Sequence, residues 1–203
     1  MDNSLLIFSL LVFCSVVTKL TVTKVYPFFK PLPILMILLL AFLRPVFPDK
    51  LWLAAVLFGL IGDLWLLSEK GFIPGLLSFL LGHIFYVFAF AARTDGINFP
   101  WVYVALSVTV SLFAFIYLAQ NLVKARKKLY ILPILLYITV TALLLIFALR
   151  SAAVLAIVGA VFFALSDFLL AFDKFIRRTW YVQATVSVTY YAAQWLLALY
   201  FTR

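Results

Sequence analysis

Eight apolar runs, each close to the length of a membrane span, occupy this chain almost end to end. Divided at charged or proline-containing breaks, they cover about 4–22, 28–43, 51–67, 72–92, 101–120, 130–149, 152–172 and 180–201. A helix needs roughly 17–25 mostly apolar residues to cross the hydrocarbon core of a bilayer. In that medium only helices and closed barrels satisfy their own backbone. The pattern predicts an all-α, polytopic transmembrane bundle of eight helices, a single integral membrane domain over residues 1–203. Composition excludes a soluble domain: 11% of residues are charged and mean hydropathy is +1.21, against about 25% charged residues in soluble domains.

Smaller features refine this expectation. Pro27, Pro31 and Pro33 delay or break the second run, because proline removes a helix donor and clashes with the preceding turn. Lys30, inside that run, is expected to snorkel to the interface. Trp52, Trp101, Tyr130 and Trp180 stand at helix starts, where aromatic residues favour the membrane surface. Met1-Asp2-Asn3-Ser4 lacks the basic region of a cleaved signal, so the first run is expected to be a retained span.

The formal charge of +9 does not point to nucleic acid, because the basic residues lie between spans. Anionic lipid head groups and membrane orientation explain them better. Alternating loops place eleven of them on one side: Lys19, Lys24, Lys30, Lys70, Lys124, Arg126, Lys127, Lys128, Lys174, Arg177 and Arg178. Arg44, Lys50, Arg93, Arg150 and Arg203 make five on the other. The positive-inside rule then puts the first set in the cytoplasm and both termini outside. Cys14 and His83 are single residues of their types, so no disulfide and no metal site is expected. No phosphate-binding glycine loop, zinc-protease helix or serine elbow is present in the sequence, which disfavours several classes of hydrolase and pump.

Against this background Asp63, in Gly62-Asp63-Leu64-Trp65, is conspicuous. An ionisable residue within a span is costly and is a functional candidate by default. Asp167, in Ser166-Asp167-Phe168-Leu169, has a matching setting. A shift of 104 residues aligns Asp63 with Asp167, Phe58 with Phe162, Leu66 with Leu170, Lys70 with Lys174 and Tyr86 with Tyr190. That shift preserves orientation and predicts a parallel four-plus-four repeat. It puts both aspartates at one depth, near the basic end. Desolvation and a neighbouring carboxylate together can keep one acid protonated while the other is ionised, as acid–base catalysis requires. The plainer alternative is that each aspartate bonds a helix end or pairs with Lys70 or Lys174, seven residues on.

Two helix faces surround these acids. Gly75, Phe79, His83 and Tyr86 share one face of the fourth span. His83 there either moves protons and orients a carboxylate or is a neutral, satisfied imidazole. Gln183, Ser187, Tyr190 and Gln194, with Tyr191 adjoining, form a polar stripe on the eighth span. Such a stripe should face the bundle interior, lining a hydrated pocket or bonding between helices. Ser107 and Ser111 read as a small-residue packing face.

Four motifs now coincide: Gly62-Asp63-x-x-Leu66, Gly75-x-x-x-Phe79-x-x-Gly82-His83-x-x-Tyr86, Phe163-Ala164-x-Ser166-Asp167-x-x-x-Ala171 and Tyr190-Tyr191-x-Ala193-Gln194. In this order and spacing they resemble the YhhN-type membrane proteins, the family of the transmembrane lysoplasmalogenases. The resemblance implies an eight-helix enzyme, needing no cofactor or metal, that hydrolyses the vinyl ether of lysoplasmalogens to a fatty aldehyde and glycerophosphoethanolamine or glycerophosphocholine. Asp63 and Asp167 would be its acid–base pair. His83, Tyr86, Ser166, Tyr190, Tyr191 and Gln194 would support them and hold water. By their depth, Lys70, Lys174, Arg177 or Arg178 either bind the phosphate of a substrate entering from the cytoplasmic leaflet or serve only as orientation signals. A small proton-coupled transporter and a lipid-binding membrane protein remain as alternatives from other classes, since intramembrane acids suit them as well.

Overall fold

The computed structural model describes residues 3–45, 48–94 and 101–202. Among them lie α1 (Asn3–Thr21), a single turn α2 (Tyr26–Phe29), α3 (Leu32–Phe42), α4 (Lys50–Trp65), α5 (Phe72–Arg93), α6 (Trp101–Lys124), α7 (Ile131–Arg150), α8 (Val154–Phe175) and α9 (Trp180–Phe201). No strand occurs among the described residues. Each of the eight apolar runs is thus helical, with the second divided into α2 and α3. Arg203, one of the basic residues used for orientation, lies outside the described residues.

Helices α1, α5, α6, α7 and α8 are long and apolar enough to cross a membrane. The other three runs fall short for physical reasons. Helix α4 has 16 residues. The second run is cut where Pro31 follows Lys30, and α3 restarts with Pro31 as its N-cap and Pro33 in its first turn, where a missing N–H costs nothing. Helix α9 has 22 residues, but its polar stripe dilutes its hydropathy. That stripe does face inward, with Ser187, Tyr190 and Gln194 buried.

The most extensive pairings are α4 with α5 and α8 with α9, and α5 also packs on α7. Side chains tie both pairs to backbone: Ser78 Oγ donates to Phe58 O at 2.6 Å, and Ser166 Oγ to Val186 O at 3.1 Å. Gly62 makes room for the neighbouring helix, because a Cβ there would lie 2.8 Å from the Phe79 ring. At one end of the bundle, Arg93 donates to Tyr200 O and Phe201 O at 3.2 and 2.8 Å, and Arg44 donates to Thr202 O. Two cations thereby satisfy the last carbonyls of α9 and oppose the negative end of its dipole.

The expectation for Trp52 is corrected. It is fully buried in the core, whereas Trp101 and Trp180 are exposed at helix starts as expected. Asp49 explains the difference: its Oδ1 accepts from Leu51 N and Trp52 N at 2.8 and 3.0 Å. This N-cap fixes the first turn of α4, and Trp52 is then carried inside.

The α4–α5 turn tolerates no added atom. Ser68 Oγ accepts from Gly71 N at 3.0 Å, and a Cβ on Gly71 would fall 1.8 Å from Trp65 O. Gly71→Ala should therefore destabilise by at least the ~1–3 kcal/mol typical of overpacking. Gly62→Ala, opposed only by a side-chain ring, should cost less. Thermal unfolding of the purified variants in detergent checks the order, and an unperturbed Gly71→Ala would contradict the close backbone approach.

Candidate functional site

Charged groups persist in an apolar interior only when paired and hydrogen-bonded, so the partners of the two aspartates define the site. Asp63, near the end of α4, is 3% exposed. Its Oδ1 lies 3.5 Å from Lys30 Nζ. Lys30 does not snorkel outward: it is itself 7% exposed, turned inward by the α2–α3 break. The Tyr190 hydroxyl interacts with the same carboxyl, while Asp63 Oδ2 takes no well-aligned hydrogen bond from the protein. Pairing with Lys70, seven residues on, does not occur: Lys70 is exposed in the turn before α5.

Asp167, on α8, has different neighbours. Tyr137 Oη donates to its Oδ1 at 3.0 Å, and its Oδ2 stands 2.9 Å from His83 Nε2. His83 Nδ1 lies 2.7 Å from the Phe79 carbonyl, which can only accept, so Nδ1 carries a hydrogen. His83 Nε2 and Asp167 Oδ2 thus stand at ion-pair distance, although neither atom makes a well-aligned hydrogen bond. Phe163 and Tyr137 pack against the imidazole at ring-centroid distances of 4.5 and 5.2 Å, holding it in place.

Two spaces meet here. A small polar cavity of about 50 Å³ is lined by Lys19, Lys30, Asp63, Ser166, Asp167, Ser187, Tyr190 and Tyr191, among others. That is room for roughly three or four water molecules. A far larger cleft of about 670 Å³ runs between α5, α6, α7 and α8, walled almost wholly by apolar side chains. Its size falls within the roughly 300–1,000 Å³ of ligand pockets. Ser107, which is buried, and Ser111 are among the residues that line this cleft. Among the described residues, Asp167 is the one acidic or basic residue in the cleft wall, and only Asp167 and Leu170 belong to both linings.

The remaining candidates fall into place around this junction. Tyr191 Oη donates to Lys30 O at 2.7 Å, which anchors the broken segment, and Ser166 bonds the α9 backbone. Tyr86 Oη donates to Gln194 Oε1 at 2.6 Å, and Gln194 Nε2 reaches the Tyr190 hydroxyl at 3.5 Å. Tyr86 and Gln194 thus stand behind Tyr190, outside both linings. Lys70 and Lys174 line neither space. Lys174 Nζ instead sits 4.7 Å above the Phe72 ring.

Three functional candidates were missed in sequence. Lys19 and Lys30 count in the sequence only as orientation signals near the ends of their runs, yet Lys30 pairs with Asp63, and Lys19 Nζ donates to Gln183 O and Ser187 Oγ, both at 3.2 Å. Proline spacing around Lys30 is the signal that a broken segment could turn inward. Tyr137, one tyrosine in an apolar helix, gave no signal. Among the described residues no group of three or more His, Cys, Asp or Glu is placed to hold a metal ion.

The fold and site define a multi-pass helical membrane protein with a part-buried carboxylate, beside a buried imidazole, at the edge of an apolar cleft. The chain belongs to the YhhN family, whose model matches residues 25–201. It is 34% identical over 154 residues to lysoplasmalogenase TMEM86A of Bos taurus, which covers 71% of this chain and 62% of that protein. It is 31% identical over 165 residues to lysoplasmalogenase TMEM86B of Mus musculus, covering 79% and 69%. The human TMEM86B is 30% identical over 139 residues, covering 68% and 58%. The chain thus spans about three fifths to two thirds of the length of these relatives. No solved structure matches it significantly.

The Lys30–Asp63 pair makes a direct prediction. Asp63→Asn or Lys30→Met alone leaves one buried charge without its partner and should each cost about 3–5 kcal/mol. The Lys30→Met/Asp63→Asn double variant should cost clearly less than the two losses together. Unfolding in detergent across this cycle measures the coupling, and strictly additive losses would show that the pair is not a unit.

Proposed function

We propose that this protein is a lysoplasmalogenase: it hydrolyses the vinyl ether of a lysoplasmalogen to a fatty aldehyde and a glycerophospho-alcohol. The observation that carries the reading is the position of Asp167, in the wall of both the apolar cleft and the small polar cavity. A substrate with an apolar tail and a bond cleaved by acid and water needs such a junction. The named relatives support the same reading at family level.

In the proposed reaction the alkenyl tail occupies the cleft, with the vinyl ether beside Asp167. A proton carried by the Asp167 carboxyl passes to the β-carbon, and the positive charge develops on the α-carbon and ether oxygen as an oxocarbenium ion. Tyr137 holds the Asp167 carboxyl in position and, with the carboxylate left behind, stabilises that cation. Water from the polar cavity attacks the α-carbon. Asp63, beside Lys30, takes the water's proton on Oδ2, which accepts no well-aligned hydrogen bond from the protein. The hemiacetal then collapses: Asp63 gives its proton to the ether oxygen as the carbon–oxygen bond to glycerol breaks, and the hemiacetal hydroxyl gives its proton to Asp167 as the carbonyl forms, which restores both carboxyls. The division of work between two carboxyls resembles that of glycosidases, which form a similar cation.

Orientation and internal symmetry belong to the same proposal. The basic end faces the cytoplasm, so substrate enters from that leaflet and both termini lie on the other side. The four-plus-four repeat draws support from the matching α4–α5 and α8–α9 pairs. Support also comes from the way Asp63 and Asp167 find partners on the opposite pair, Tyr190 on α9 and His83 on α5.

Purified protein incubated with lysoplasmalogen and assayed for released aldehyde tests this directly. Asp167→Asn should lower turnover about 10²–10⁴-fold, the usual share of general acid–base catalysis, with the fold intact by size-exclusion chromatography. Tyr137→Phe should lower it by a smaller factor. Full activity in Asp167→Asn would sink the mechanism, and no aldehyde from folded wild type would sink the function.

A further inference from the structure

The basic end of the apolar cleft holds two lysines that the reaction does not use. Phe72, at the start of α5, and Phe175, at the end of α8, both line the cleft and meet edge to face at 5.6 Å. Lys174 Nζ lies 4.7 Å above the Phe72 ring, and Lys127 Nζ lies 5.6 Å above the Phe175 ring. Each aromatic wall thus carries an ammonium over its ring, attracted by the ring face. Both lysines are exposed.

The backbone sets Lys127 there. Helix α6 ends with Arg126 in the left-handed region at φ 58°. Lys127 N donates to Leu122 O at 2.9 Å, and Arg126 N to Val123 O at 3.1 Å. This is the Schellman pattern of a helix stop, and it turns the chain so that Lys127 leaves α6 toward α8. The nearby carboxylates are occupied elsewhere: Glu69 lies 3.8 Å from Arg178, and Asp173 accepts from Thr179 N at 3.3 Å. Among the described residues neither Lys127 nor Lys174 has a carboxylate within ion-pair distance.

We infer that Lys127 and Lys174 form a phosphate-binding clamp at the basic mouth of the cleft, which holds the phosphodiester of a lysophospholipid head group while the tail lies inside. This rests on the lysoplasmalogenase reading and assigns its head-group site. Lysine binds phosphate as a point charge, and two ammonium groups match one phosphodiester better than either alone. Spacing along α8 supports the assignment. Lys174 is seven residues beyond Asp167, a rise of about 10 Å. The covalent path from the vinyl β-carbon through glycerol to phosphorus is roughly 9 Å when extended, with bonds near 1.5 Å. In the other direction, Asp167 back to Ile157 in the cleft wall spans about 15 Å of helix for the tail.

The test uses ligands without a vinyl ether, so its outcome is independent of whether that bond is cleaved. Full-length protein in detergent is titrated with a 1-O-alkyl lysophosphatidylcholine, with the matching 1-O-alkyl glycerol, and with inorganic phosphate. Lys127→Gln/Lys174→Gln should weaken the phospholipid about 10–100-fold and leave the alkyl glycerol unchanged. Lys128→Gln, an exposed neighbour, should change neither, and Lys127→Arg/Lys174→Arg should keep most of the affinity. Inorganic phosphate should displace the phospholipid only in large excess. Unchanged phospholipid binding, equal loss for both lipids, or an equal effect from Lys128→Gln would overturn the clamp. Tight binding of inorganic phosphate with no preference for the phospholipid would overturn the head-group assignment.

Discussion

Two carboxylates in an apolar bundle, Asp63 buried and Asp167 part-buried, can persist only because each has a basic side chain brought to it from another segment. Asp63 has Lys30 at 3.5 Å, and Asp167 has His83 at 2.9 Å. Much of the architecture serves these two meetings. The proline break between α2 and α3 turns Lys30 inward, and Tyr191 fastens that break through the Lys30 carbonyl. The Phe79 carbonyl fixes the His83 ring from below, and Phe163 holds its side. Gly62 lets α4 approach Phe79 closely enough for both acids to line one cavity.

The two pairs differ in what lies beyond them, and the proposed roles follow from that difference. Asp63 borders the polar cavity alone, beside a lysine, an arrangement suited to an ionised base in contact with water. Asp167 borders the cleft as well, an arrangement suited to an acid in contact with an apolar substrate. On this account the apolar cleft keeps water from the tail, the small cavity meters it, and Asp167 stands where the two media touch.

Much of this was legible in the sequence. Local periodicity and span length fixed all eight helical runs, and the intramembrane rule singled out Asp63 and Asp167. The helical faces bearing His83 and Tyr190 were correctly turned inward. What stayed hidden depends on contacts between distant segments. Lys30 looks like an orientation signal until α2 and α3 are seen to fold over Asp63. Tyr137 carries no signal until α7 is laid beside α8. Trp52 looks like an interfacial anchor until the Asp49 cap is seen to carry it inside. The cleft is a gap among four helices, so no one stretch of sequence encodes it.

The most direct measurement of the central claim is the fate of a solvent proton. Wild-type protein would hydrolyse a lysoplasmalogen in deuterated water, with the products read by mass spectrometry. Proton transfer from the Asp167 carboxyl to the vinyl β-carbon predicts a full-length aldehyde carrying one deuterium on the carbon next to its carbonyl, with glycerol keeping the original ether oxygen. An aldehyde without that deuterium, or one shortened by cleavage of the double bond, would contradict acid-initiated hydrolysis at this site.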